Sequence, residues 1–259
     1  MADPVLGAAA VFGLCSVLSA VAYLRKVLTL GGALAAFAVG LVIGLFGDLT
    51  WLLLLLFFLL SSFAATRYRF ALKEALGVQE GVRGERGAVN VLANGIAPVS
   101  VAVLAFLLPA AFPKTLAGLV FVSTLAVAGA DTLASEIGVL SRKAYDILTG
   151  RPVPPGTDGG VSWLGQGAAF AASFYTAVVA WLVLYWGATL AGFPPTITAD
   201  PALLWIPIAT GFLGCQIDSV LGATLEKRKL LTKKTVNLAS TVLGGVLAYA
   251  LLVLIGVPT

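Results

Sequence analysis

Residues 50–66 read Thr50-Trp51-Leu52-Leu53-Leu54-Leu55-Leu56-Phe57-Phe58-Leu59-Leu60-Ser61-Ser62-Phe63-Ala64-Ala65-Thr66, without a charge, a proline or a glycine. A helix made of this run is apolar on every side, and its length is close to the roughly 20 apolar residues that cross a bilayer, range about 17 to 25. Working outward, the same rule marks spans at 4–23, 32–47, 50–66, 89–109, 115–140, 162–187, 202–225 and 236–256, eight in all with the second and third short. Residues 32–66 turn at Gly47-Asp48, which fits a hairpin or a pair of incomplete crossings. The start, Met1-Ala2-Asp3-Pro4, lacks the basic segment of a cleavable signal, so the first run is read as a true span. Of the 259 residues, 59% are hydrophobic and only 11% charged, with a net charge of +4. A soluble globule of this size carries roughly a quarter charged residues. A soluble enzyme, a disordered chain and a secreted disulfide scaffold are therefore excluded. The expected fold is all-α: a polytopic integral membrane helix bundle of about eight spans, forming a single membrane-embedded domain over 1–259.

The basic residues set the expected orientation. Arg25 and Lys26 lie in 24–31; Arg67, Arg69, Lys73, Arg83 and Arg86 in 67–88; Arg142, Lys143 and Arg151 in 141–161; Lys227, Arg228, Lys229, Lys233 and Lys234 in 226–235. Lys114 alone falls in an intervening loop. The positive-inside rule places the four basic loops in the cytoplasm and both termini on the other side.

Polar groups inside the spans carry the functional signal. A carboxylate at the centre of a span costs about 2.5–3.5 kcal/mol on insertion scales. Asp131 and Glu136 lie in the fifth span and Asp218 in the seventh. Asp131 precedes Arg142 by 11 residues and Asp218 precedes Lys227 by 9, so both lie on the order of 15 Å below the basic loops. No Lys or Arg lies in the core of any span, so partners for these acids come from loops or from a metal ion. The chain has no histidine, which excludes histidine-based triads, zinc sites and haem ligation. Cys15 and Cys215 sit in apolar runs and read as small buried hydrophobes. Oxygen-only ligands at one depth suit a hard ion such as Mg²⁺. The competing reading is structural ion pairing.

Arg83, Arg86, Asn90 and Asn94 follow steps of 3, 4 and 4, one stripe of a helix entering from a basic loop. They read either as a phosphate grip or as a positive anchor followed by interhelical amide bonds. Lys233, Lys234 and Asn237 at the start of the last span carry the same two readings. Pro152-Val153-Pro154-Pro155-Gly156-Thr157-Asp158-Gly159-Gly160-Val161-Ser162 leads into the sixth span. Consecutive N–H groups in such a segment can form an anion nest at a helix entrance. Neither GxxxxGK[ST] nor GxGxxG occurs, so a P-loop and a dinucleotide fold are unavailable.

Three blocks in order, Asp131-Thr132-Leu133-Ala134-Ser135-Glu136-Ile137-Gly138, Val153 to Ser162, and Asp218-Ser219-Val220-Leu221-Gly222-Ala223-Thr224-Leu225-Glu226, resemble the signatures of the transmembrane protein 19 family. Gly32-Ala33-Leu34-Ala35-Ala36 and Lys233-Lys234-Thr235-Val236-Asn237 extend the resemblance over almost the whole chain. That family includes a phytyl-phosphate kinase of tocopherol synthesis and is remotely similar to dolichol kinase and CDP-diacylglycerol synthase. The resemblance implies a membrane-bound kinase that converts an isoprenyl monophosphate, such as phytyl or geranylgeranyl phosphate, to the diphosphate. Its phosphoryl donor is expected to be CTP or another nucleoside triphosphate, its cofactor Mg²⁺, and its site is expected to face the cytoplasm. Phosphoryl transfer needs positioning and charge neutralisation more than covalent help, so the missing histidine is no obstacle. On this reading Asp131, Glu136 and Asp218 hold Mg²⁺, with Glu226 and Asp158 in second rank. Backbone N–H groups at Gly156, Thr157, Gly159 and Gly160 cradle phosphates beside Ser162. Arg83, Arg86, Lys233 and Lys234 neutralise phosphate, and Asn90, Asn94 and Asn237 orient it. Expected partners are the prenyl phosphate lipid, the nucleotide and the bilayer, with no nucleic acid. The alternatives are a cation-coupled secondary transporter and a CDP-lipid-forming cytidylyltransferase.

Overall fold

A computed structural model describes residues 4–79, 81 and 84–257. Its helices are α1 (Pro4–Leu24), α2 (Leu30–Phe46), α3 (Leu49–Arg67), α4 (Phe70–Ala75), α5 (Ala88–Leu107), α6 (Lys114–Gly138), α7 (Trp163–Trp181), α8 (Ala188–Leu190), α9 (Trp205–Leu221) and α10 (Lys233–Leu254). A π-helical segment, Leu182–Gly187, joins α7 to α8, and a second, Gly222–Glu226, extends α9.

Among the described residues, seven helical segments are long and apolar enough to cross a membrane. The exception to the expected eight is α2, whose 17 residues rise about 25 Å against a hydrocarbon core of roughly 30 Å. It nevertheless runs from one end of the bundle to the other. At its start, Thr29 N–H donates to the Arg86 carbonyl (3.1 Å) and Arg86 N–H to the Val27 carbonyl (3.1 Å), which joins the first two basic loops. Just past its end, Asp48 meets Lys114 Nζ (2.6 Å) and Thr196 Oγ1 (3.2 Å) from the connections on the opposite side. Asp48 also caps α3 by accepting from the Thr50 and Trp51 N–H groups. Residues 32–66 are thus two passes of the bundle joined by a tight turn, not half-crossings.

Two segments between helices hold structure that the sequence pattern does not announce. The 139–162 connection carries a three-stranded antiparallel sheet, order β2-β1-β3, from β1 (Ala144–Asp146), β2 (Pro152–Val153) and β3 (Gly160–Val161). Tyr145 pairs with Pro152 on one side and with Val161 on the other. An ion pair from Asp146 to Lys227 Nζ (2.5 Å) ties this sheet to the end of the α9 segment. In the 67–88 connection, short α4 turns back into the protein and buries Lys73 completely.

The core is organised around α6, which is buried continuously from Leu116 to Ala130 and touches α3, α5, α7, α9 and α10. Close approach here depends on glycine. A Cβ on Gly214 of α9 or on Gly244 of α10 would fall about 2.5 Å from a methyl group of Val127 on α6 (2.5 and 2.4 Å). Residues four apart share a helical face. Asp131 lies four residues after Val127, Asp218 four after Gly214, and Ser240 four before Gly244 on the oppositely directed α10. The glycine seam therefore delivers all three side chains to one level, a turn nearer the basic end.

Candidate active site

The Asp131 and Asp218 carboxyl groups face each other across the α6–α9 seam, in the same pocket and near enough to interact. Helix α10 supplies a neutral donor to each: Asn237 Nδ2 to Asp131 Oδ2 (3.0 Å) and Ser240 Oγ to Asp218 Oδ2 (2.9 Å). Lys233, Lys234 and Arg86 also attract the Asp131 carboxylate electrostatically. Two carboxylates this close repel each other unless a proton or a cation lies between them. Ser240 was missed by sequence reasoning, although it continues the Lys233–Asn237 stripe by three residues.

Glu136 belongs to a different arrangement. One carboxylate oxygen accepts from Lys73 Nζ (2.6 Å) and the other from Thr66 Oγ1 (2.8 Å), and the Lys73 ammonium also donates to the Ala65 carbonyl (2.8 Å). For Glu136 the competing reading, structural ion pairing with a loop residue, describes the geometry: Lys73, counted from sequence among the basic residues of 67–88, neutralises it, although Glu136 also lines the aspartate pocket. Arg86 joins this group through Nη2 to Thr66 Oγ1 (3.3 Å) and is itself buried.

A polar pocket of about 280 Å³ contains the aspartates. Its wall includes Asp131, Glu136, Asp218, Glu226, Lys233, Gly156, Thr157, Asp158, Gly159, Gly160 and Ser162. The glycine-rich segment thus closes over the aspartates as expected, but its donors are partly committed. Thr157 N–H bonds to the Pro154 carbonyl (3.2 Å) and Gly160 N–H to that of Thr157 (2.8 Å). Ser162 serves as the N-cap of α7, accepting from Gly165 N–H (3.1 Å) and donating to the Gly138 carbonyl (3.2 Å). Gly159, at φ +71°, lies so close to α9 that a Cβ on it would come within 2.4 Å of the Ala223 Cβ. That contact seats the loop on the π-helical turn that ends in Glu226, and π turns are frequent at functional sites.

Asn90 and Asn94 do not reach this pocket. They lie on the wall of a separate apolar cavity, which Arg86 also lines. Helix α5 starts only at Ala88, so Arg86 precedes it, bridged to Leu28, and of the expected stripe only Asn90 and Asn94 share a helical face, turned to this cavity rather than to the aspartates. Lys234 stands near enough to act on both Asp131 and Glu226. Arg83 lies outside the described residues. Cys15 and Cys215 are both buried free thiols.

Among the described residues no three Asp, Glu or Cys side chains gather tightly enough to enclose a metal ion. Magnesium does not require such a cage. It keeps several waters and commonly binds through one or two carboxylates plus substrate phosphates. The facing pair Asp131–Asp218, with oxygen donors only, fits that chemistry, and Glu226 lines the same pocket.

The family described as integral membrane protein DUF92 matches residues 13–245. The uncharacterized membrane protein MJ0933 of Methanocaldococcus jannaschii is 30% identical over 217 residues, covering 83% of this chain and 82% of its own. The Protein VTE6, chloroplastic, of Arabidopsis thaliana is 31% identical over 227 residues, covering 85% of this chain and 64% of its own. The Protein PGR of the same plant is 34% identical over 220 residues, covering 79% and 74%. No solved structure matches the chain.

Proposed function

The chain belongs to the DUF92 family of integral membrane proteins, and on that premise we propose that it is a membrane-bound kinase for isoprenyl monophosphates. The observation that carries this reading is the pair of facing carboxylates, Asp131 and Asp218, each accepting a hydrogen bond from α10 inside a pocket that Lys233 also lines. The resemblance to a family with a phytyl-phosphate kinase member supplies the reaction type.

In the proposed reaction an oxygen of the lipid monophosphate attacks the γ-phosphorus of CTP or another nucleoside triphosphate. The β–γ bridging bond breaks, and the products are the prenyl diphosphate and the nucleoside diphosphate. The attacking phosphate is already ionised, with a second pKa near 6, so no general base is needed. Mg²⁺ bound at the aspartates supplies neutralisation of charge on the transferring phosphoryl group. Asp131 and Asp218 hold it, and Asn237 and Ser240 fix the orientation of the two carboxylates. Lys233 and Lys234 attract the triphosphate to the basic end, which the positive-inside rule makes cytoplasmic. At the opposite end the polar groups Asp48, Lys114 and Thr196 bond to one another. That asymmetry favours a one-sided enzyme over a carrier.

The test is an assay with γ-labelled CTP and a panel of phytyl, geranylgeranyl and longer prenyl monophosphates. Label is expected in the lipid, with CDP released. Asp131→Asn and Asp218→Asn should each lower turnover by about a thousandfold. Full activity in both variants removes the metal assignment. Pyrophosphate release in place of CDP identifies a cytidylyltransferase, and no reaction with any lipid overturns the kinase.

A further inference from the structure

We propose that the apolar cavity between α1, α2, α3 and α5 is the slot that holds the prenyl chain, and that Arg86 holds the lipid phosphate at the boundary between this slot and the aspartate pocket. The inference rests on the kinase reading and adds where the lipid lies and what limits its length.

The cavity has a volume of about 980 Å³, at the upper end of the range for small-molecule sites. Its walls are hydrocarbon and aromatic, with Val21, Leu28, Leu55, Leu59, Phe63 and Val91 among them. Its charged groups are four cations, Arg25, Lys26, Arg67 and Arg86, and one acid, Glu74. Greasy walls under a cationic rim complement an amphiphile with an anionic head. Cys15, Gly40 and Leu52 line the far part of the slot. There α1 packs tightly on α2: a Cβ on Gly40 would meet Cys15 Sγ at 3.1 Å and Leu52 Cδ1 at 3.4 Å. Cys15 lies nine residues before Leu24, the last residue of α1 beside Arg25, which makes the slot on the order of 14 Å deep.

Arg86 connects the two sites. Its side chain lines the slot and donates to Thr66 Oγ1, which donates in turn to Glu136 on the wall of the polar pocket. A phosphate held by Arg86 is therefore a short step from the aspartates. Asn94 is buried, and its Oδ1 has no hydrogen-bond partner among the described residues. An unsatisfied buried acceptor costs about 1–3 kcal/mol, and Asn94 faces the slot two turns beyond Arg86. A bound water would satisfy it.

The experiment uses the whole protein in nanodiscs with a geranylgeranyl monophosphate analogue carrying a photoreactive group at the tail end. Crosslinked positions are mapped by mass spectrometry. Label is expected on the facing sides of α1, α2 and α3 near Cys15, Gly40 and Leu52. It should be displaced by unlabelled geranylgeranyl monophosphate and not by phosphatidylglycerol. Label on α7 or α9, or equal displacement by phosphatidylglycerol, overturns the slot. A second arm uses Gly40→Phe and Ala36→Trp, which fill the slot at two depths. The ratio of kcat/KM for a geranylgeranyl over a geranyl monophosphate should fall by about tenfold or more. Equal losses on both substrates overturn the assignment. Crosslinks in the slot without turnover of any prenyl phosphate keep the slot and remove the kinase. Turnover with crosslinks elsewhere keeps the kinase and removes the slot.

Discussion

Two acid sites, one buried and one half-buried, lie within one turn and a half of each other on α6, and their surroundings differ. Glu136 has its own cation, Lys73, enclosed with it and bonded to two backbone carbonyls as well. Asp131 faces another acid and accepts from an amide, Asp218 accepts from a hydroxyl, and Lys233 stands on the wall of their pocket. Similar carboxylates at similar depth thus serve different ends. A buried ion pair complete in itself fixes α4 against α6, whereas the half-buried pair of acids shares a polar pocket with Lys233 and, on the proposed reading, receives a metal ion there. A buried carboxylate is evidence for a metal only after its neighbours have been counted.

The largest effect expected from this contrast is on stability. Lys73→Met leaves Glu136 buried and uncompensated and should cost about 3–5 kcal/mol, read as a lowered melting temperature in detergent. Adding Glu136→Gln should recover most of the loss. Asp131→Asn relieves repulsion and should leave the melting temperature unchanged or raise it. Equal losses in the two single variants would erase the distinction. Next in size is the response to Mg²⁺. At a hundredfold excess over Kd the ion should stabilise the wild type by about 2.7 kcal/mol. The shift should vanish in Asp131→Asn and Asp218→Asn and persist in Lys73→Met/Glu136→Gln. A shift that survives in both aspartate variants places the ion elsewhere. Asn237→Ala removes one hydrogen bond to Asp131, worth about 1 kcal/mol, and should weaken Mg²⁺ about fivefold in the same titration. The smallest effect concerns Asp146, outside the spans. Lys227 first, then the Thr149 N–H, draw its carboxyl down from 3.8 to about 2. A carboxyl lowered by folding stabilises above its unfolded pKa, and that contribution is lost as the pH falls through the folded value. The wild type should therefore lose melting temperature between pH 4 and pH 2, and Lys227→Met should lose less over that interval.

Most of the bundle was legible because lipid imposes a simple demand on each helix: enough apolar residues, with basic residues kept to one end. The pairing of Asp131 with Asp218 was legible for the same reason, since both lie at one depth in spans of the same direction. What could not be read was rotation and return. Asn90 and Asn94 share a face of α5 while Arg86 precedes that helix, and sequence does not say where the helix begins or which neighbour its face meets. Lys73 lies 63 residues from Glu136, in a connection that turns back into the protein, and its partner is fixed only by tertiary packing. The sheet at 144–161 has strands of two or three residues, too short to show any alternation. Thr157 and Gly160 looked like free donors because the turns that engage them close within the loop itself.

The contact between Gly159 and Ala223 has a consequence for anyone exchanging parts among relatives. Neither surface has room for a single added carbon at that joint. A chimaera that transplants the 152–162 segment without the matching end of α9 should fail even when both donors are active, so the two pieces form one unit of inheritance although 63 residues of chain separate Gly159 from Gly222.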